Sequence, residues 1–405
     1  MPATDFSSAS FGRSILGLRR ENAAAVDPNL PSLATSSLSM PSTVNQYEID
    51  LDAFQKNIVD RFANLPEPIL TLDWIRSLLD AFICCHEEFR VILAKTRSMA
   101  QKPPLDRFVQ DFFDRSIKAL DVCNAIRDGI EQIREWKKLL EIVLVGLDDR
   151  SSGSRSRDNG TRAIGEWQFR RARKALVDLS ILMLDEKDMS SSAATVTPHR
   201  NRSFGRHNSS TAAARSGHFR SLSWSVSRSW SAARQLQAIG SNLVPPKVNE
   251  ITATGGVVTA VYAMGSVLLL VMWALVAAIP CQDRGLQIHF SVPKGLVWTG
   301  ALMGIYEKLL DESRKKERRN ACGLLSEIYK TERAVRVMAE LIDSVQFPLS
   351  PEKEAEVREQ VAELRQVYEW LNDGLDPLER QVRDAFRRIV ISRTEGLDSL
   401  GRLGQ

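Results

Sequence analysis

Cys84, Cys85 and His86 stand side by side, a grouping that invites metal binding or nucleophilic catalysis. On a helix, consecutive side chains point about 100° apart, so these two thiols and the imidazole cannot converge on one ion or substrate. They are read as ordinary core or boundary residues. His199, His207 and His218 lie in a Ser/Arg-rich stretch that cannot hold a catalytic group in place. The five cysteines form no CxxC pair, so reduced thiols in a cytosolic setting are expected rather than a disulfide framework. Phosphate loops, dinucleotide fingerprints, HExxH and GxSxG elbows are all missing from the sequence. The sequence reads as a non-enzyme, with no catalytic, cofactor-binding or metal-ligating residue to nominate and no cofactor implied.

A second kind of chemistry is modification. Ser203, Ser209 and Ser223 each follow an arginine (Arg200, Arg206, Arg220) by three positions, a spacing that suits basophilic kinases. Phosphate there would add close to −2 charge to a basic stretch and create a docking point for a phosphoserine-binding adaptor. Around the last of these serines, Arg220, Trp224, Arg228, Trp230 and Arg234 make a basic, aromatic strip. Such a strip suits membrane lipids, a partner groove or single-stranded nucleic acid.

These residues sit in a stretch, 189–249, that contains no Asp or Glu and few large aliphatics. It cannot bury enough apolar surface to offset its ordering entropy, so it is expected to be a flexible linker. Residues 1–45 are likewise a Ser-, Ala- and Pro-rich tail; a plastid transit peptide has a similar composition, but the acids Asp5, Glu21 and Asp27 argue for a plain tail. Between tail and linker, residues 46–188 read as a helical bundle. Leu51, Phe54, Ile58, Phe62 and Leu65 share one helix face, and Pro66 and Pro68 stop that helix. A second helix follows over Ile75 to Ile92, a third from Leu105 to Val145 with a break near Gly129, and a fourth from Ala163 to Leu184. No run alternates with the period of a strand, and the fold class is all-α.

The strongest single signal is an uncharged block within 250–306. Val257, Val261, Leu268, Leu269, Leu270, Val271, Trp273, Leu275, Val276 and Ile279 belong to one run of 23 residues from Val257. Its eleven Val, Leu and Ile residues favour bilayer insertion by roughly 3–6 kcal/mol in all. As a helix it would be ~35 Å long, enough for a hydrocarbon core of ~30 Å. It is read as a membrane segment first, and as the central helix of a bundle second. The weaker apolar stretch from Gly285 to Tyr306 would be a returning hairpin arm or a buried connector. Residues 307–395 are helical again, with Val357, Val361, Leu364, Tyr368, Leu371 and Leu375 in a coiled-coil-like seam, Pro377 punctuating it, and 396–405 a tail.

Whole-chain composition limits the function classes. Over 405 residues, 54 Lys and Arg against 50 Asp and Glu leave a net charge of +4. Dedicated nucleic-acid binders carry a stronger basic excess, so no nucleic acid is expected as partner, and an RNA-associated role for the Ser-Arg dipeptides is the weaker rival. A purely soluble helical regulator is the other.

Several stretches resemble the plant BYPASS-related family, and in particular its ROH-like branch: Ser10 to Leu16, Leu72 to Leu93, His218 to Lys247, and the apolar block ending Met272 to Cys281. The resemblance implies a plant-specific, non-enzymatic regulator of development. It further implies a tie to the exocyst through its membrane-contacting subunit, and so to polarised secretion and cell-wall or mucilage deposition. The combined expectation is a membrane-associated adaptor in the cytosol and on the cytosolic face of a membrane.

Overall fold

Eleven helices and no strand occur among the residues described in the computed structural model, which are 43–147, 165–191, 230–284, 290–318 and 321–401. The first, α1 (Thr43–Ala63), ends just before Pro66, and Thr71 then caps α2 (Leu72–Lys95) by accepting the Trp74 N–H at 3.1 Å. A short α3 (Arg97–Ala100) leads into the long α4 (Leu105–Leu147), and α5 (Glu166–Ser191) packs back along it. The later part supplies α6 (Ala232–Gly240), α7 (Val248–Ala253), α8 (Val257–Ala278), α9 (Thr299–Arg314), α10 (Ser326–Ser344) and α11 (Pro351–Gly401).

The apolar block forms α8, and every one of its residues is buried. It is long and apolar enough to cross a membrane, yet α1, α2, α4, α6, α7 and α9 pack around it. In this structure Val257 to Ile279 therefore faces protein on all sides rather than lipid. The same all-round apolarity serves either solvent, because a helix enclosed by other helices needs no polar face.

A buried helix must still satisfy its end groups. At the N-terminal end, the Thr254 hydroxyl accepts the Val258 N–H at 3.4 Å. At the C-terminal end, the loop before α10 lies across the last turn: Leu324 N–H donates to the Ala277 carbonyl at 2.9 Å and Leu325 N–H to that of Ala278 at 3.2 Å. Two glycines make this approach feasible. A Cβ on Gly323 would stand 2.4 Å from the Ala278 carbonyl oxygen, and one on Gly129 of α4 would stand 2.1 Å from that of Pro280. Gly129, expected to break its helix, instead sits within an unbroken α4 and marks the closest approach between α4 and the end of α8.

Sequences before and after α8 fold into one unit spanning Thr43–Gln405. α11 lies along α2 and α4, and its seam of Val357, Val361, Leu364, Leu371 and Leu375 is buried in the bundle, with Tyr368 half-buried beside it. A single membrane crossing by α8 would put these partners on opposite sides, so it is incompatible with this shared core. Pro377 does not end the helix either; α11 runs through it. The lost backbone bond at such a proline costs about 3 kcal/mol. Buried Leu375, Leu378 and Val382 hold both sides of it, and Arg134 of α4 bonds Asp376 at 2.7 Å and Glu379 at 2.6 Å. The expected C-terminal tail is also shorter, because α11 reaches Gly401.

The flexible linker expected over 189–249 is ordered at its C-terminal end. α6 forms there because Leu236 and Ile239 find a buried site against α4 and α8, a tertiary gain that local composition does not reveal, and α7 begins at Val248. Gly129→Ala should destabilise the chain by roughly 1–3 kcal/mol, the usual cost of overpacking. Gly304→Ala in α9, where a Cβ meets nothing within 4 Å, should be neutral or mildly stabilising. Denaturant melts of the two variants check this contrast.

Candidate functional site

Of the basic aromatic strip, the structure describes Trp230 and Arg234; Arg220, Trp224 and Arg228 lie outside the described residues, as do Ser203, Ser209 and Ser223. The strip is therefore visible only where it joins the bundle. Ser231 is the N-cap of α6: its hydroxyl accepts the Arg234 N–H at 3.2 Å and donates to the Asp283 carboxylate. Ala232 and Ala233 N–H groups donate to the carbonyls of Gln282 and Asp283 at 3.1 and 2.9 Å. Trp230 is half-buried against the core, while the Arg234 side chain is exposed. The ten residues nominated as a membrane segment are buried inside the bundle, where α6 packs against α8.

Two buried arginines cap helix ends instead of binding a ligand. Arg284 donates to the carbonyls of Ala277, at 3.2 Å, and Ala321, closing the end of α8. Arg115 of α4 donates to the Ser241 and Asn242 carbonyls at 3.3 and 2.8 Å, just past α6, where the helix dipole favours a cation. Burial pulls the Arg115 guanidinium below its usual range. Glu327 plays the complementary part: its carboxylate accepts the Leu72 N–H at 3.2 Å at the start of α2, and burial raises its pKa. None of the three was singled out from sequence as a helix cap. Their only sequence mark is a charge adjoining apolar residues, and what they cap lies far away in the chain.

The Cys84–Cys85–His86 triplet splits as helical geometry requires. Cys84 is exposed, and Cys85 is buried with its thiol 3.6 Å from an Arg61 Nη, burial pushing its pKa up to about 11. Arg61 is held by Glu88 at 2.5 Å, which in turn accepts from Asn57 at 3.1 Å. A thiol raised so far is a poor nucleophile at neutral pH. His86 lies between the rings of Phe82 and Phe112, with centroids 5.6 and 6.4 Å away, and its Nδ1 has no partner. Burial lowers its pKa to about 4, so it stays neutral.

Among the described residues no three His, Cys, Asp or Glu side chains are grouped to hold a metal ion. The best-formed cleft has a volume of about 40 Å³, between Arg90, Leu93, Phe113 and Ser392. That is room for a water molecule or two rather than an organic substrate. The basic cluster after α9 is largely engaged: Lys315 pairs with Glu312 at 2.6 Å, and Arg318 donates to the Leu324 carbonyl at 3.0 Å while lying over Tyr329.

The matching protein-family model is described as "Protein ROH1-like" and covers residues 1–400. The chain is similar to Protein ROH1D of Arabidopsis thaliana, with 55% identity over 99% of both chains. It is also similar to Protein ROH1A of the same plant, with 37% identity over 89% of this chain and 92% of the relative. A shorter match, 29% identical over 24% of each chain, is to UPF0496 protein 1 of Oryza sativa subsp. japonica. No solved structure matches.

The buried imidazole sets a pH dependence. His86 has a folded pKa near 4 against 6.5 unfolded, so its contribution is fully present above pH 6.5 and is lost as pH falls from there toward 4. The difference is worth about 3 kcal/mol at most. Urea melts of the native chain between pH 7 and 4.5 should lose stability with acid, and His86→Leu should flatten that slope.

Proposed function

Because the chain belongs to the ROH1-like family, we propose that it is a non-enzymatic adaptor and regulator of plant development acting in the cytosol and at the cytosolic face of a membrane. In this reading it engages the membrane-contacting subunit of the exocyst and modulates polarised secretion of wall or mucilage material. The observation that carries the adaptor reading is the join between the basic strip and a solidly packed bundle. Ser191, at the end of α5, and Trp230, beside α6, bracket the Arg/Ser stretch, and both flanking helices pack on α4. A rigid body with a modifiable basic segment fixed at both ends suits docking and its regulation better than turnover of a substrate. Phosphate at Ser203, Ser209 or Ser223 would weaken the attraction of that segment for anionic lipid and create a site for a phosphoserine-binding adaptor.

Membrane contact in this proposal runs through the basic strip and not through α8, whose insertion would require the bundle to open. A second reading, a soluble helical regulator without membrane contact, is favoured by the complete burial of α8.

Two measurements separate these readings. Tagged chain purified from plant membranes should recover exocyst subunits, and a recovery no greater than that of an untagged control would remove the exocyst role. Carbonate should release the membrane-bound fraction. Carbonate-resistant chain would mean that α8 is inserted, and the absence of any membrane-bound chain would favour the soluble regulator.

A further inference from the structure

Helix α5 has an apolar face on each side. Phe169, Ala172, Leu176, Leu179 and Met183 are buried against the bundle. On the opposite side Trp167, Val177, Ile181 and Leu184 are exposed by 66, 50, 50 and 56%, although most large apolar residues of this chain are buried. With Arg170 and Lys174, these four residues follow the spacing 3, 4, 3, 4, 3, which places them on one stripe of the helix. That pattern is the seam of a helix pair whose second helix is absent among the described residues.

Charge along the same helix indicates what the second helix is. The first part, Glu166 to Lys174, carries four cations against one carboxylate. The remainder, from Ala175 on, carries four carboxylates, Asp178, Asp185, Glu186 and Asp188, against one lysine. The two parts have equal and opposite net charge, and the change of sign falls close to the middle of the helix. Arg170 is paired with Glu166 and Arg173 with Asp343, but Arg171 and Lys174 have no carboxylate partner among the described residues.

We propose that α5 is the contact surface of a homodimer, in which a second copy of the chain lays its own α5 antiparallel across this stripe. A two-fold axis near Val177 places the basic part of each helix beside the acidic part of the other, so the surface is self-complementary, as an isologous contact must be. Val177 then meets its own counterpart. Ile181 and Leu184 lie beside the aliphatic stems of Lys174 and Arg170 of the other copy. An anionic membrane fits less well, because it would be attracted by one half of the helix and repelled by the other.

The test uses the full chain. Sedimentation velocity should give twice the 45.4 kDa monomer mass, with dissociation favoured by high salt. Ile181→Glu, at a half-exposed position that leaves the core intact, should give a monomer with unchanged helical circular dichroism. In a Cys84→Ser background, Val177→Cys should form an intermolecular disulfide under mild oxidation. Charge reversal by Arg171→Glu with Lys174→Glu should weaken self-association, and mixing with an Asp185→Lys, Glu186→Lys chain should restore a mixed dimer. A native chain that stays monomeric at every concentration would overturn the proposal. So would a dimer indifferent to Ile181→Glu, or a stripe that captures anionic vesicles or another protein while the chain remains a monomer. None of these outcomes depends on exocyst binding, so the dimer and the adaptor role stand or fall separately.

Discussion

A helix of 22 residues without a single charge is enclosed on every side, and the rest of the structure is arranged around what that demands. Most of its side chains need no polar partner, but its last carbonyls would be left in an apolar interior at a cost of about 1–3 kcal/mol each if unpaired. Arg284 and the N–H groups of Leu324 and Leu325 meet two of them. For that loop to reach them residue 323 must have no side chain, and residue 129 must have none for α4 to lie against Ile279 and Pro280. The position of α4, the start of α10 and the turn after α8 are thus tied to one buried helix end.

This enclosure also decides the organisation of the chain. Since α8 is surrounded, the helices before and after it lie in the same solvent, and α11 can serve as a long stave against α2 and α4. Exposed ion pairs, such as Lys308 of α9 with Glu67 of the loop before α2 at 2.6 Å, contribute little, on the order of 0–1 kcal/mol. The pair of Arg134 with Glu379 is more enclosed and ties α11 to α4 beside Pro377, with Asp376 and Glu131 joining it from exposed positions. Burial of the seam does the larger share of the work, which is why a helix can tolerate a proline within it.

The same logic accounts for the chemistry. Arg115, Arg284, Glu327 and His86 are buried in the bundle, and three of the four close helix ends. Burial is the largest cause of the shifts at Arg115, Glu327 and His86.

Much of this was legible in the chain itself. Helical periodicity located α1, α2, α4, α5 and the seam of α11, because one-sided burial imprints a 3.6-residue period on any sequence that forms it. The stretches resembling the ROH-like branch pointed to the family, and the family match agrees with that part of the resemblance. Other features could not be read in advance. An apolar run has the same composition whether lipid or protein surrounds it, so only the packing of six helices around α8 decided its environment. Gly129 and Pro377 are helix breakers by local propensity, and both sit inside helices because tertiary contacts outweigh that propensity. α6 forms within a Ser/Arg-rich stretch because its few apolar residues meet a surface built from α4 and α8, far away in sequence. Local preference is written residue by residue, whereas the partner that decides each of these cases is supplied only when the chain closes on itself.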